Sequence, residues 1–153
     1  MEAQVYSTIL IATDGSELAN NALDQGCELA KRFGAAVTIV TVTEPATVVG
    51  AGYSAAAGVG YSPIPELMEA QQAQAQTTLN ESKARAEAAG VSANTRLVEG
   101  VYPAEGIVQV ADEIGADLIV MASHGRRGLG RLLLGSQTSN VLAQTRIPVL
   151  VTR

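Results

Sequence analysis

Tryptophan is absent, and aromatic residues make up only 3% of the 153-residue chain. Proteins that hold single-stranded nucleic acid stack bases on aromatic rings, so that mode of binding has little to work with here. Cysteine occurs once, as Cys27, and histidine once, as His124. One cysteine excludes an internal disulfide and a cysteine-rich zinc or iron–sulfur site. One histidine excludes a multi-histidine metal centre. Positive charge is scarce too: 10 Lys and Arg against 15 Asp and Glu give a formal net charge of -5. A chain of that sign has no global attraction to nucleic acid or to an anionic membrane. No apolar run approaches the roughly 18 residues of a membrane-spanning helix. The N-terminus lacks the basic start and apolar block of a secretory signal, since Glu2 comes early and Asp14 interrupts the first apolar run. These absences lead us to expect a soluble, cytoplasmic protein with neither a nucleic-acid nor a membrane partner.

What is there is apolar. Hydrophobic residues make up 47% and charged residues 16%, enough for the core of one domain over 1–153. Strand and helix patterns alternate. Val5 to Ala12 is apolar on both faces, as a strand covered by helices on each side must be. Thr13 to Ser16 supply turn and cap chemistry. Ala19, Ala22, Leu23, Gly26, Cys27, Ala30 and Phe33 then form one face of a helix that Gly34 stops. Val37 to Val42 is a second buried strand. Residues 45–65, rich in glycine and proline, predict a flexible loop. Pro65 opens a long helix over Glu66 to Ala89, and Gly90 ends it. Val91 to Val98 alternates and reads as an edge strand. Pro103 opens a helix that Gly115 closes, Asp117 to Met121 is a short buried strand, Ser136 caps a helix to about Gln144, and Pro148 to Thr152 is a last strand. Five strands joined by helices predict an α/β fold with a doubly wound parallel sheet and helices on both faces. If the strand order is 3-2-1-4-5, strands one and four flank the crevice where ligands of such sheets bind.

Chemistry concentrates in ASHGRRGLGRLLLGSQTS, Ala122 to Ser139. Its glycines allow close approach of a ligand to the backbone. Gly135 and Ser136 open the last helix, where unpaired N–H groups and the helix dipole favour an anion. The hydroxyls of Ser136, Thr138 and Ser139 suit phosphate oxygens, and Arg126, Arg127 and Arg131 add local positive charge. A tight connection with no ligand remains the alternative reading. Neither a P-loop nor a first-strand GxGxxG is present.

In these residues the chain resembles the universal stress protein family, in its small ATP-binding form. The resemblance runs from ILIATDGS, through Gly100 to Pro103, to ADLIVMASHGRRGLGRLLLGS and the IPVLV end. The family pattern of Gly, two residues, Gly, nine residues, Gly and Ser or Thr is met by Gly125, Gly135 and Ser136. Ala122 stands where the first glycine falls, and its methyl group is expected to crowd the ribose or phosphates and weaken binding. The resemblance implies the 3-2-1-4-5 order and ATP, AMP or ADP in the crevice, with Mg²⁺ or Mn²⁺ accompanying a polyphosphate. It implies Asp14 at the adenosine end and Val42 against adenine, with Ala12 and Met121 at the neighbouring strand ends. It puts Gly125, Arg126, Gly135, Ser136, Gln137 and Thr138 around ribose and phosphates.

Single residues leave choices open. Asp14 suits a ligand role or helix capping. His124 reads as a loop residue beside the ligand, Cys27 as a buried structural thiol, and Arg126 and Arg127 as phosphate contacts or solvated charges. Tyr53 and Tyr61 belong to a flexible loop or a partner contact. The last strand, 148–152, is very apolar for a sheet edge, which predicts a homodimer paired through it. Three functions follow: a homodimeric ATP-binding regulator of stress responses, a slow ATPase or phosphotransferase using His124, Asp14 or Glu44, or an interaction module that binds no nucleotide.

Overall fold

The computed structural model describes residues 5–49, 51, 64–124 and 134–153. Five strands, β1 (Thr8–Ala12), β2 (Ala36–Val42), β3 (Ala93–Val98), β4 (Leu118–Ala122) and β5 (Val149–Thr152), alternate with helices α1 (Glu17–Phe33), α2 (Ile64–Ala88), α3 (Pro103–Ile114) and α4 (Ser136–Gln144). The sheet order is β3-β2-β1-β4-β5 and every pairing is parallel. This is the doubly wound architecture that the alternation of patterns predicts.

The two faces of β1 show how it is covered. Ile9 and Ile11 pack in one core with Leu23 and Cys27 of α1 and Leu79 and Ala86 of α2. Leu10 and Ala12 pack in the other with Ile107 and Val110 of α3 and Val141 of α4. Period-two alternation thus feeds two separate cores. The chain moves outward from β1 to β2 and β3, then returns across β1 to β4 and β5. The crossover helices change faces at that reversal, so among the described residues no helix covers the gap between the carboxyl ends of β1 and β4.

Helix limits follow local chemistry. Ser16 caps α1 by accepting from Ala19 N–H at 3.2 Å. Gly34 and Gly115 end α1 and α3 with φ of 65° each, a left-handed conformation that a side chain resists. At the amino end of the sheet, the Asp117 carboxylate accepts from Ser7 N–H at 2.8 Å, the Ser7 hydroxyl at 2.8 Å and Thr8 N–H at 3.0 Å. Burial raises the Asp117 pKa, but the hydrogen bonds from Ser7 and Thr8 outweigh it and hold the carboxyl below its ordinary value.

Several boundaries differ from expectation, with β3 beginning at Ala93, β4 spanning Leu118–Ala122 and β5 beginning at Val149, and three differences are informative. β1 begins at Thr8 rather than Val5, because the clamp on Ser7 and Thr8 fixes the strand start and leaves Val5 63% exposed. Gly135, not Ser136, is the N-cap of α4, and Ser136 is its first residue. Of the stretch 45–65 expected as a loop, residues 46–49 are helical and Ile64 and Pro65 belong to α2. Residues 50 and 52–63, with Tyr53 and Tyr61, lie outside the described residues.

Candidate functional site

A cavity of about 590 Å³ opens at the carboxyl ends of β1 and β4. Its size is that of a small-molecule site. β1 and the turn after it contribute Ala12, Thr13 and Asp14, β4 and the residues after it Met121, Ala122, Ser123 and His124, and the start of α4 Gly135, Ser136, Gln137 and Thr138. One wall is apolar, built from Val40, Val42 and Ile107. Of the residues proposed for the ligand, Ala12, Asp14, Val42, Met121, Ala122, Gly135, Ser136, Gln137 and Thr138 all line this cavity. Gly125 and Arg126, with Arg127 and Arg131, lie outside the described residues.

The turn after β1 is tightly made. Asp14 Oδ1 accepts from Ser16 N–H at 3.0 Å, and the Thr13 hydroxyl accepts from Gly15 N–H at 3.1 Å. Asp14 therefore shapes the turn while Ser16 caps the helix. Thr41 Oγ donates to Thr13 O at 2.9 Å, which ties the β1 end to β2.

The β4–α4 junction is held by close packing. Gly135 N–H donates to Ser123 O at 2.7 Å. The Thr138 hydroxyl donates to Ala122 O at 3.0 Å and Ser123 O at 3.1 Å. The Gly135 amide and the Thr138 hydroxyl proton are thus engaged with the end of β4 and the residue after it, where they position the start of α4. A Cβ at Gly135 would sit 2.8 Å from Ser123 O, which is why glycine fits there although its φ of -60° is open to any residue. Ala122 packs its methyl group in the core under α1 and α2 while lining the cavity.

What remains available is informative. No side chain caps α4, so the N–H groups of Ser136, Gln137 and Thr138 are unpaired among the described residues. Four buried side-chain atoms also lack a hydrogen-bond partner among the described residues: Gln71 Oε1, His124 Nε2, Gln137 Oε1 and Thr152 Oγ. The first three belong to residues that line this one cavity. Buried polar atoms are ordinarily satisfied, so their convergence marks a site completed by something else. Gln71 was not foreseen from sequence. It continues the inward face of α2 marked by Ala75, Thr78, Leu79 and Ser82, and a polar residue on that stripe was the available signal. Among the described residues no group of three or more His, Cys, Asp or Glu is placed to hold a metal ion. Cys27, away from the crevice, is buried in the α1 core, and burial pushes its thiol pKa up.

The universal stress protein family model matches residues 6–153. Universal stress protein MJ0531 of Methanocaldococcus jannaschii is 37% identical over 149 residues, covering 97% of this chain and 83% of that protein. The solved structure of MJ0577, from the same organism, superimposes with a TM-score of 0.78 at 30% identity, covering 97% of this chain and 96% of that one. A universal stress protein solved in complex with cAMP gives a TM-score of 0.67 at 28% identity, covering 97% of each chain.

Proposed function

The chain belongs to the universal stress protein family, and from that premise we propose that it binds an adenine nucleotide in the crevice between β1 and β4 and acts as a regulator rather than as an efficient catalyst. The observation that carries this reading is the set of unpaired N–H groups of Ser136, Gln137 and Thr138 at the edge of the cavity. A helix N-terminus presents donors and the positive end of its dipole, which suits a phosphate. The apolar wall of Val40, Val42 and Ile107 suits a purine ring, and Asp14 at the turn after β1 suits ribose hydroxyls. The similar protein solved with cAMP supports the same ligand class.

In this reading the ligand is ATP, AMP or ADP, with Gly125 and Arg126 completing the phosphate contacts. A Mg²⁺ or Mn²⁺ ion bound with ATP takes its oxygen ligands from the phosphates and water, the donor set that Mg²⁺ favours. The protein works as a homodimer through β5. Val149, Leu150 and Val151 are half-buried along that strand, which among the described residues pairs with β4 on one side only. Among the described residues no helix is long and apolar enough to cross a membrane.

Ligand that binds only the folded form stabilises it by about 2.7 kcal/mol at a hundredfold excess over Kd. For a chain of this size that is roughly a 5–11 °C rise in Tm, at 2–4 °C per kcal/mol. Scanning calorimetry with AMP, cAMP and Mg·ATP measures it, alongside mass spectrometry of nucleotide released from freshly purified protein. No Tm change at millimolar nucleotide, with none retained on purification, favours the interaction module instead.

A further inference from the structure

Ser123 is anchored on both sides. Its N–H donates to Thr152 O at 2.7 Å, and its carbonyl accepts from Gly135 N–H at 2.7 Å and Thr138 Oγ at 3.1 Å. The residue is 4% exposed. Its remaining polar atom, Oγ, lies 3.1 Å from His124 Nδ1. Two proton arrangements suit this contact. If Nδ1–H donates to Oγ, the serine hydroxyl hydrogen and the Nε2 lone pair both go without a partner among the described residues. If Oγ–H donates to Nδ1, the serine hydrogen and the Nδ1 lone pair are both used, and Nε2–H alone is unpaired. Each unmade hydrogen bond in a buried site is costly, so the second arrangement prevails.

Nε2 is buried and has no partner among the described residues. The ring edge that carries it lies beside Gly135, since a Cβ built there is 3.7 Å from His124 Cδ2. That places the imidazole next to the first turn of α4, whose Ser136, Gln137 and Thr138 N–H groups are also donors. Although the unpaired Gln71 Oε1 and Gln137 Oε1 are acceptors elsewhere in the lining, the donors gathered at this end of the cavity select an acceptor, and an anionic oxygen most strongly.

We propose that Ser123 holds the neutral His124 imidazole in its Nε2–H tautomer and that Nε2–H donates a hydrogen bond to a phosphate of the bound nucleotide. His124 touches the ligand, and Ser123 is a positioning residue. The phosphate contact rests on the nucleotide reading above; the tautomer does not. Because both backbone polar groups of Ser123 are already engaged, the donor is oriented before the ligand arrives and little ordering is left for binding.

The chain has a single histidine, so ¹⁵N-histidine labelling of the full protein reports one imidazole. Spectra recorded at pH 8.5 read which ring nitrogen carries the proton. The wild type is expected to show the Nε2–H pattern, Ser123→Ala a mixture of tautomers, and AMP but not adenosine to shift the Nε2 signal. His124→Ala is expected to lower the ratio of AMP to adenosine affinity about tenfold, equivalent to about 1.4 kcal/mol, and Ser123→Ala to lower it less. An Nδ1–H pattern in the wild type overturns the tautomer assignment. An unchanged affinity ratio in His124→Ala overturns the phosphate contact. If the wild type binds neither AMP nor adenosine, the nucleotide reading and the phosphate contact fail together, while the unliganded spectrum still decides the tautomer.

Discussion

Replacing Gly135 with alanine separates packing from backbone conformation as the reason for glycine at the mouth of the crevice. With φ of -60° and ψ of 155° the backbone accepts alanine without strain. The new methyl carbon, however, would stand 2.8 Å from Ser123 O and 3.5 Å from His124 Cα. Even the close Cα–H···O contacts of proteins sit at about 3.3–3.6 Å, so roughly half an ångström or more has to be found. Ser123 O has little freedom to retreat, because it accepts from Gly135 N–H and Thr138 Oγ while its own amide is fixed to Thr152 O. The start of α4 is therefore the part that moves. Overpacking of this kind costs about 1–3 kcal/mol, and stretching the Gly135 hydrogen bond adds about 0.5–1 kcal/mol. A total of about 1.5–4 kcal/mol corresponds to a Tm lower by roughly 3–16 °C. Calorimetry and urea unfolding measure the loss, and titration with AMP reads the displaced donors as weaker binding. Gly115→Ala is the contrast: it has nothing within 4 Å and a φ of 65°, so it costs about 1–2 kcal/mol from backbone strain alone and leaves AMP affinity unchanged. If Gly135→Ala unfolds within about 0.5 kcal/mol of wild type and binds AMP equally well, the close-approach account is wrong.

Other outcomes follow from the same geometry. A Cβ at Gly106 would meet the Val42 methyl groups at 2.7 and 2.9 Å, so Gly106→Ala should destabilise the fold by about 1–3 kcal/mol; adding Val42→Ala should recover part of that loss, and a purely additive double variant would contradict the contact. Asp117 has a folded pKa held below its unfolded value of about 3.9, so it stabilises the protein above that value and the contribution is lost as pH falls through the folded pKa. Asp117→Asn should accordingly lie about 1–2 kcal/mol below wild type at pH 7, and denaturation at a series of acid pH values should show the gap closing; a constant gap would remove the ionised carboxylate from the explanation. A lysine on the half-buried edge strand, Val151→Lys, should turn a dimer into a folded monomer by light scattering. A wild type already monomeric at tens of micromolar would exclude pairing through β5.

Much of the fold was legible because it is written in local patterns. Ile9 to Ala12 are apolar at every position, and only a strand covered on both faces needs that. Gly34 and Gly115 follow the last inward residues of α1 and α3, and both take the left-handed φ expected of a helix stop. Boundaries were less legible because partners distant in the chain set them. Val5 continues an apolar run, yet it is exposed because Asp117, some 110 positions away, engages Ser7 and Thr8.

The candidate site divides along the same line. Composition and spacing alone pointed to the turn at Asp14 and to the start of the last helix, because glycine, serine and a helix N-terminus carry their chemistry wherever they are placed. Which donors stay available was settled only by folding. The Gly135 amide and the Thr138 hydroxyl are engaged by packing against Ala122 and Ser123, while the Thr138 amide stays available. Gln71 becomes a crevice residue only when α2 lies along the sheet, and His124 turns from a loop residue into an oriented donor only when Ser123 is pinned to β5 and α4. A residue's type determines what it can donate or accept. Whether that capacity is already spent depends on neighbours brought near by the tertiary structure, and no short window of sequence contains them.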